Sequence, residues 1–198
     1  MRLDIYSPMH KAQRKNLFEL SIKIGRADFS EAAQVATLKS EVQAIIASLR
    51  KHAQHEETFI HPLFKQLGTE GEHLEEEHHD LEITFANLEK CLAAEKQNDL
   101  YTQFNRMVVA YLKHIDAEET AQQDILWKHY DDAALMEAMK KFHASRKQEE
   151  TMQAYEYMFP SLNPQEIQGM LCGAKAVFPA DVYVVVESMA RKAVVEVV

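Results

Sequence analysis

The chain has 198 residues, 46% of them hydrophobic and 27% charged, with five glycines, five prolines and a formal charge of −9. That length buries one sizeable core with room for an appendage, and so few glycines and prolines exclude the many tight turns of an all-β fold. The negative balance argues against a nucleic-acid backbone or an anionic membrane as partner, and it is compatible with cation binding.

In chain order, the opening MRLDIYSPMH lacks the apolar core of a signal peptide, and no later run approaches a membrane span, so the chain reads as cytoplasmic. Ser7-Pro8 opens a first helix that runs to about Gly25. DFSEAAQ offers Ser30, or failing that Asp28, as the cap of a second helix reaching toward Gln66, with Pro62 placed to kink or end it early. Gly68 and Gly71 form the next turn, a third helix covers 72–95, and KQNDL leads into a fourth helix over 99–130. Short links between four long helices predict an all-α, up-down-up-down four-helix bundle over 1–130. The remainder, 131–198, reads as a C-terminal helical extension. It begins with a polar helical stretch. Asn163 then caps a helix with Pro164 at its first position, and a last segment follows Pro179. That last segment is rich in β-branched residues, but no partner strand exists for it, so it is read as helix. Cys91 and Cys172 lie far apart and form neither a metal motif nor a disulfide framework.

Ten histidines are the outlying number, and helical phase sorts them. A bundle helix buries a stripe that recurs every three or four residues. The four stripes pass through His10 and Leu17; Leu49, His52 and Glu56; Leu74, His78 and Leu81; and Tyr111, His114 and Glu118. Each helix therefore puts a histidine where an apolar residue is expected, and two add a glutamate one turn on. Residues at i and i+4 share a face and reach a common ion. One stripe histidine, or one HxxxE pair, is ordinarily a core or surface residue with local partners. Four such histidines and two phased glutamates, on four helices, are not explained that way. Two buried carboxylates without counter-charges are costly, and bound cations remove the cost. Four nitrogens and two carboxylates are too many for one ion but suit two, with Glu56 and Glu118 bridging. His55 and His79 fall off the stripes, Glu57 and Glu119 face their flanks, and His61, His73, His129 and His143 read as surface residues. Tyr111 reads as core packing, one turn before His114 and so placed to hydrogen-bond beside the site.

These residues resemble the hemerythrin-like family, the HHE cation-binding domains: His10, HAQHEE from His52, EEEHH around His78 and HIDAEE from His114. The resemblance covers 8 to about 130. It implies a non-haem, oxo- or hydroxo-bridged di-iron centre, with His10, His52, His78 and His114 as terminal ligands. It also implies dioxygen or nitric oxide as the partner, bound or sensed, with an oxidoreductase or iron-donating role in nitrosative or oxidative stress repair as the alternative. Mixed imidazole and carboxylate ligation suits iron, and manganese or zinc is the lesser fit. The family's oxygen carriers use a fifth histidine four residues before the one on the third helix. Here that position is Leu74, which implies two histidines per iron, a more open coordination sphere and an apolar wall of Leu74, Leu81 and Phe85. A ferritin-like centre is rejected. It needs ExxH on two separate helices, whereas both ExxH pairs, Glu70/His73 and Glu75/His78, fall in one stretch.

Overall fold

In a computed structural model the described residues are 2–68, 71–93 and 97–195. Among them every regular element is helical, with no strand. The bundle consists of α1 (Ser7–Gly25), α2 (Ala32–Phe59), α4 (Gly71–Ala93) and α5 (Gln97–Ala121). A short α3 (His61–Gln66) lies between α2 and α4. Helix α1 packs on α2, α2 on α4, α4 on α5, and α5 back on α1, which closes the four into a ring.

Local chemistry sets the boundaries. The Asp4 carboxylate accepts from the Tyr6 and Ser7 N–H groups at 3.1 and 2.9 Å, filling donors that the start of α1 leaves free. Ser30 does not cap α2: its own N–H and hydroxyl turn back onto Asp28, and α2 starts after Glu31 with no side-chain cap. The break foreseen at Pro62 is present. Helix α2 stops at Phe59, Ile60 bends the chain, and α3 restarts with Pro62 in its first turn. Gly68, at φ +66°, closes α3 in a conformation that favours glycine. The fourth helix runs without a break to His129, as its pattern suggests, but not as one regular α-helix. It widens into a π-turn over Gln122–Leu126, followed by one turn, α6 (Trp127–His129).

The stripes are buried as the phase demands, and they sort into two apolar clusters. One holds Leu17, Leu49, Leu81, Phe104, Tyr111 and Ile115 among others; the second holds Tyr6, Ile60, Phe64, Leu74, Ala121 and Leu126. On every bundle helix the histidine or glutamate falls between a residue of one cluster and a residue of the other. His10 lies between Tyr6 and Leu17, and His78 between Leu74 and Leu81. The polar stripe residues thus form one layer across the bundle, sealed above and below by hydrocarbon.

The extension is helical to the last described residue, Val195: α7 (Asp132–Ala144), α8 (Gln148–Met158), α9 (Pro164–Val177) and α10 (Ala180–Val195). Asn163 caps α9 as expected, and Glu166 returns a bond to the Asn163 N–H, which makes the cap reciprocal. Helix α7 packs on α2, with Phe142 edge-on to His55 and Phe59, while α8 packs on α1. Helices α8–α10 share an apolar cluster that includes Tyr155, Phe159, Ile167, Val186 and Ala190. No described helix is long and apolar enough to cross a membrane.

Candidate metal centre

Six side chains picked out by phase meet in the polar layer. His10, Glu56, His78, His114 and Glu118 are buried, and His52 is half-buried. Two groups of four donors form, His10–His52–Glu56–Glu118 and Glu56–His78–His114–Glu118, each with its ligand atoms within 4.8 Å of one another. Both glutamates belong to both groups. His52 Nε2 is 2.9 Å from Glu56 Oε1, His10 Nε2 is 3.3 Å from Glu118 Oε2, and His114 Nε2 is 3.3 Å from Glu118 Oε1. Donors held about 2.1 Å from one cation lie about 3 Å or slightly more apart, so these separations suit a shared ion. Orientation tells the same way. The Nε2 atoms of His10, His52 and His78, and all four oxygens of Glu56 and Glu118, are buried without a hydrogen bond of acceptable geometry. Buried polar atoms are almost always satisfied, and seven left over at one point call for a cation.

The Hemerythrin HHE cation binding domain matches residues 2–120. The chain belongs to this family. No curated protein and no solved structure gives a match.

In this HHE domain the outward ring nitrogens are also held. His10 Nδ1 meets Glu119 at 2.9 Å, His78 Nδ1 meets Glu57 at 2.9 Å, and His114 Nδ1 meets Glu77 at 3.0 Å. Arg14 in turn grips both oxygens of Glu119 at 2.7 and 3.0 Å. A carboxylate on Nδ1 fixes the tautomer, leaves Nε2 as the inward lone pair and raises its basicity. Glu57 and Glu119 were expected on flanks, and they are there. Their role was legible only in their position directly after Glu56 and Glu118, which sets each on the rim of the same face. Replacing Glu119 by Gln should weaken the ion on the His10 side by about 10–100-fold while the fold stays intact; isothermal titration beside circular dichroism reads both.

Charge in the layer is strongly coupled. Burial pushes the Glu118 carboxyl up, but the facing imidazoles of His10, His114, His61 and His78 outweigh it and hold Glu118 well below the usual carboxylate range. Glu56 is lowered too: burial and Glu118 push it up, and His52 and His10 pull it down further. Burial disfavours the charged imidazole of His114, yet Glu118 and Glu77 raise it to about 9. Protons and cations compete for the same lone pairs here, so cation uptake at neutral pH releases protons.

His79 is exposed and His55 half-buried against Phe142, which leaves neither in the cluster. His73, His129 and His143 are exposed, as expected. His61 is the correction. It was expected at the surface; instead it is fully buried, its ring stacked on His78 at 5.1 Å and its Nε2 3.6 Å from Glu118. On an unbroken helix the five residues from Glu56 to His61 turn it about 140° off the stripe. The bend at Ile60 cancels that rotation. Leu74 also departs from its expected place: it packs with Phe64 and Leu126 and does not line the cleft beside the centre, whereas Leu81 and Phe85 do.

Proposed function

We propose that the chain is a non-haem di-iron protein that binds or senses a diatomic ligand, dioxygen or nitric oxide. His10, His52, His78 and His114 serve as terminal ligands, with Glu56 and Glu118 as bridges. The observation that carries the reading is the membership of Glu56 and Glu118 in both four-donor groups, which matches a pair of ions rather than one. Ferrous ions held there supply the electrons and open coordination positions that such ligands require. The residues of the chain provide access and seclusion. A cleft of about 530 Å³ between α2 and α4 reaches His52, Glu56, His78 and His114 past Leu81, Phe85 and Tyr111. The Tyr111 hydroxyl is buried, and no protein group hydrogen-bonds it. Burial, then Glu56 and Glu118, push it well above its ordinary range, so it stays a neutral donor facing the site. The extension, covering α1 and α2, acts as a helical cap and not as a second active unit.

Two measurements test this. Elemental analysis of iron-loaded protein should find two ions per chain, fewer in His52→Ala and His114→Ala, and two in His143→Ala; one ion in fully loaded wild type points to a mononuclear site. Mixing the reduced protein with oxygen or nitric oxide in a stopped-flow spectrometer should give a rapid change in visible absorbance with either gas. Silence with both rejects the diatomic reading. On the rim of the cleft Glu75 is paired with Lys65, Glu82 with Arg50 and Glu57 with His78, so the iron-donating alternative draws no support from the rim and is decided by experiment. Transfer of iron to an acceptor protein faster than to buffer chelator would select that alternative.

A further inference from the structure

We propose that His61 is a fifth imidazole ligand, delivered by the break between α2 and α3, and that it joins His78 and His114 around one of the two ions. The inference deepens the dinuclear reading above and rests on it. His61 is completely buried, and both its ring nitrogens lack a hydrogen-bond partner. A merely structural histidine left in that state costs about 1–3 kcal/mol for each unsatisfied atom, and a hydrocarbon of similar size avoids that cost. A bound ion satisfies Nε2 outright.

The donor map shows which ion. Nε2 of His61, His78 and His114 lies 3.6, 3.6 and 3.3 Å from one and the same oxygen, Glu118 Oε1. His10 faces the other oxygen, Oε2, at 3.3 Å, and His10 and His52 share Glu56 Oε1 at 3.5 and 2.9 Å. The five imidazoles therefore divide three to two, with His61 spaced like the donors around it. The chain geometry explains how His61 gets there. The α2 ladder ends with the Ile60 N–H on the Glu56 carbonyl at 2.9 Å, and Pro62 has no N–H with which to continue it. Helix α3 then starts at His61 with its face turned inward. With this division the ion beside His10 and His52 would have one imidazole fewer than the other, and so more room for an added ligand. That differs from the even division that Leu74 implied.

The test uses full-length protein labelled with nitrogen-15 at histidine, loaded with zinc as a diamagnetic probe. Of the ten histidines, five should move their ring-nitrogen signals to the metal-bound position, and His61→Leu should show four. In that variant the second zinc should bind at least about 10-fold more weakly, because losing a ligand costs no less than losing a ligand's support. Adding Leu74→His to His61→Leu offers an imidazole from α4 instead and should restore part of the affinity. Four shifted histidines in wild type holding two zinc ions would overturn the role of His61 and leave the dinuclear centre standing. Fewer than two zinc ions in wild type would overturn both. The wild-type count needs no variant, so a misfolded His61→Leu would not rescue the proposal.

Discussion

Removing the metal under reducing conditions should lower the melting temperature of the protein by about 10 °C. A ligand present at about a thousand times its dissociation constant stabilises the folded state by about 4 kcal/mol. For a chain of this size each kcal/mol moves the midpoint by about 2–4 °C. The gap between loaded and chelated protein should also widen with pH, and the sign follows from the layer itself. In chelated protein the raised imidazoles of His10, His78 and His114 contribute stability that is complete below about 6.5. It is lost as pH rises through their folded values, about 9 for His114, where burial is outweighed by Glu118 and Glu77. The depressed carboxyls of Glu56 and Glu118 contribute above about 4.5 and lose that contribution as pH falls. Chelated protein is thus steadiest between those limits. Cations bind deprotonated imidazole, so loaded protein gains where chelated protein loses. Calorimetric scans at pH 6 and pH 8.5, with and without chelator, check both effects. Coincident curves in a sample shown by elemental analysis to have lost its metal would dismiss the claim that metal stabilises the bundle.

The bundle was legible because hydrophobic period and helix phase are local properties. His10, His78, His114 and Glu118 could be placed by counting turns from Leu17, Leu81 and Tyr111, and the structure buries each of them. The same arithmetic hid His61, since it assumes an unbroken helix and Pro62 breaks this one. Pro62 was visible in the sequence; the direction in which it would turn the next residue was not, because that depends on how α3 docks on α4. The supports on the outer nitrogens were hidden for a related reason. Glu77 reaches His114, and Glu119 reaches His10, from helices whose relative height no single-helix pattern records. The Ser30 cap failed through a local competition, with Asp28 satisfying the serine before α2 could use it.

If the proposed pair of ions is bound, Glu118→Gln should have the largest effect of any single substitution, reducing both to sub-stoichiometric occupancy. Among the described residues Glu118 is the only one whose carboxylate faces four imidazoles, with His10 on one oxygen and His61, His78 and His114 on the other. Glutamine keeps the shape and one carbonyl oxygen, but it replaces the second donor by an NH₂ that has no lone pair to offer. It also removes one of the two negative charges that make the layer hospitable to cations. Glu56→Gln should be milder on the side of His78 and His114, because Glu56 meets His78 only at 3.7 Å while it meets His52 at 2.9 Å. The comparison grades the two proposed bridges, since Glu56 leans toward His10 and His52 while Glu118 faces both sides. Loss of both ions in Glu118→Gln, against preferential loss of the ion beside His10 and His52 in Glu56→Gln, fits two shared carboxylates of unequal weight. The fold should survive with a lowered melting temperature, because glutamine keeps the volume of the side chain while the pairing of Glu118 with its imidazoles is lost. The melting temperature of Glu118→Gln should then no longer respond to chelator. Retention of both ions by this variant, measured by elemental analysis after gel filtration, would remove Glu118 from the centre and with it the pairing of the two donor groups.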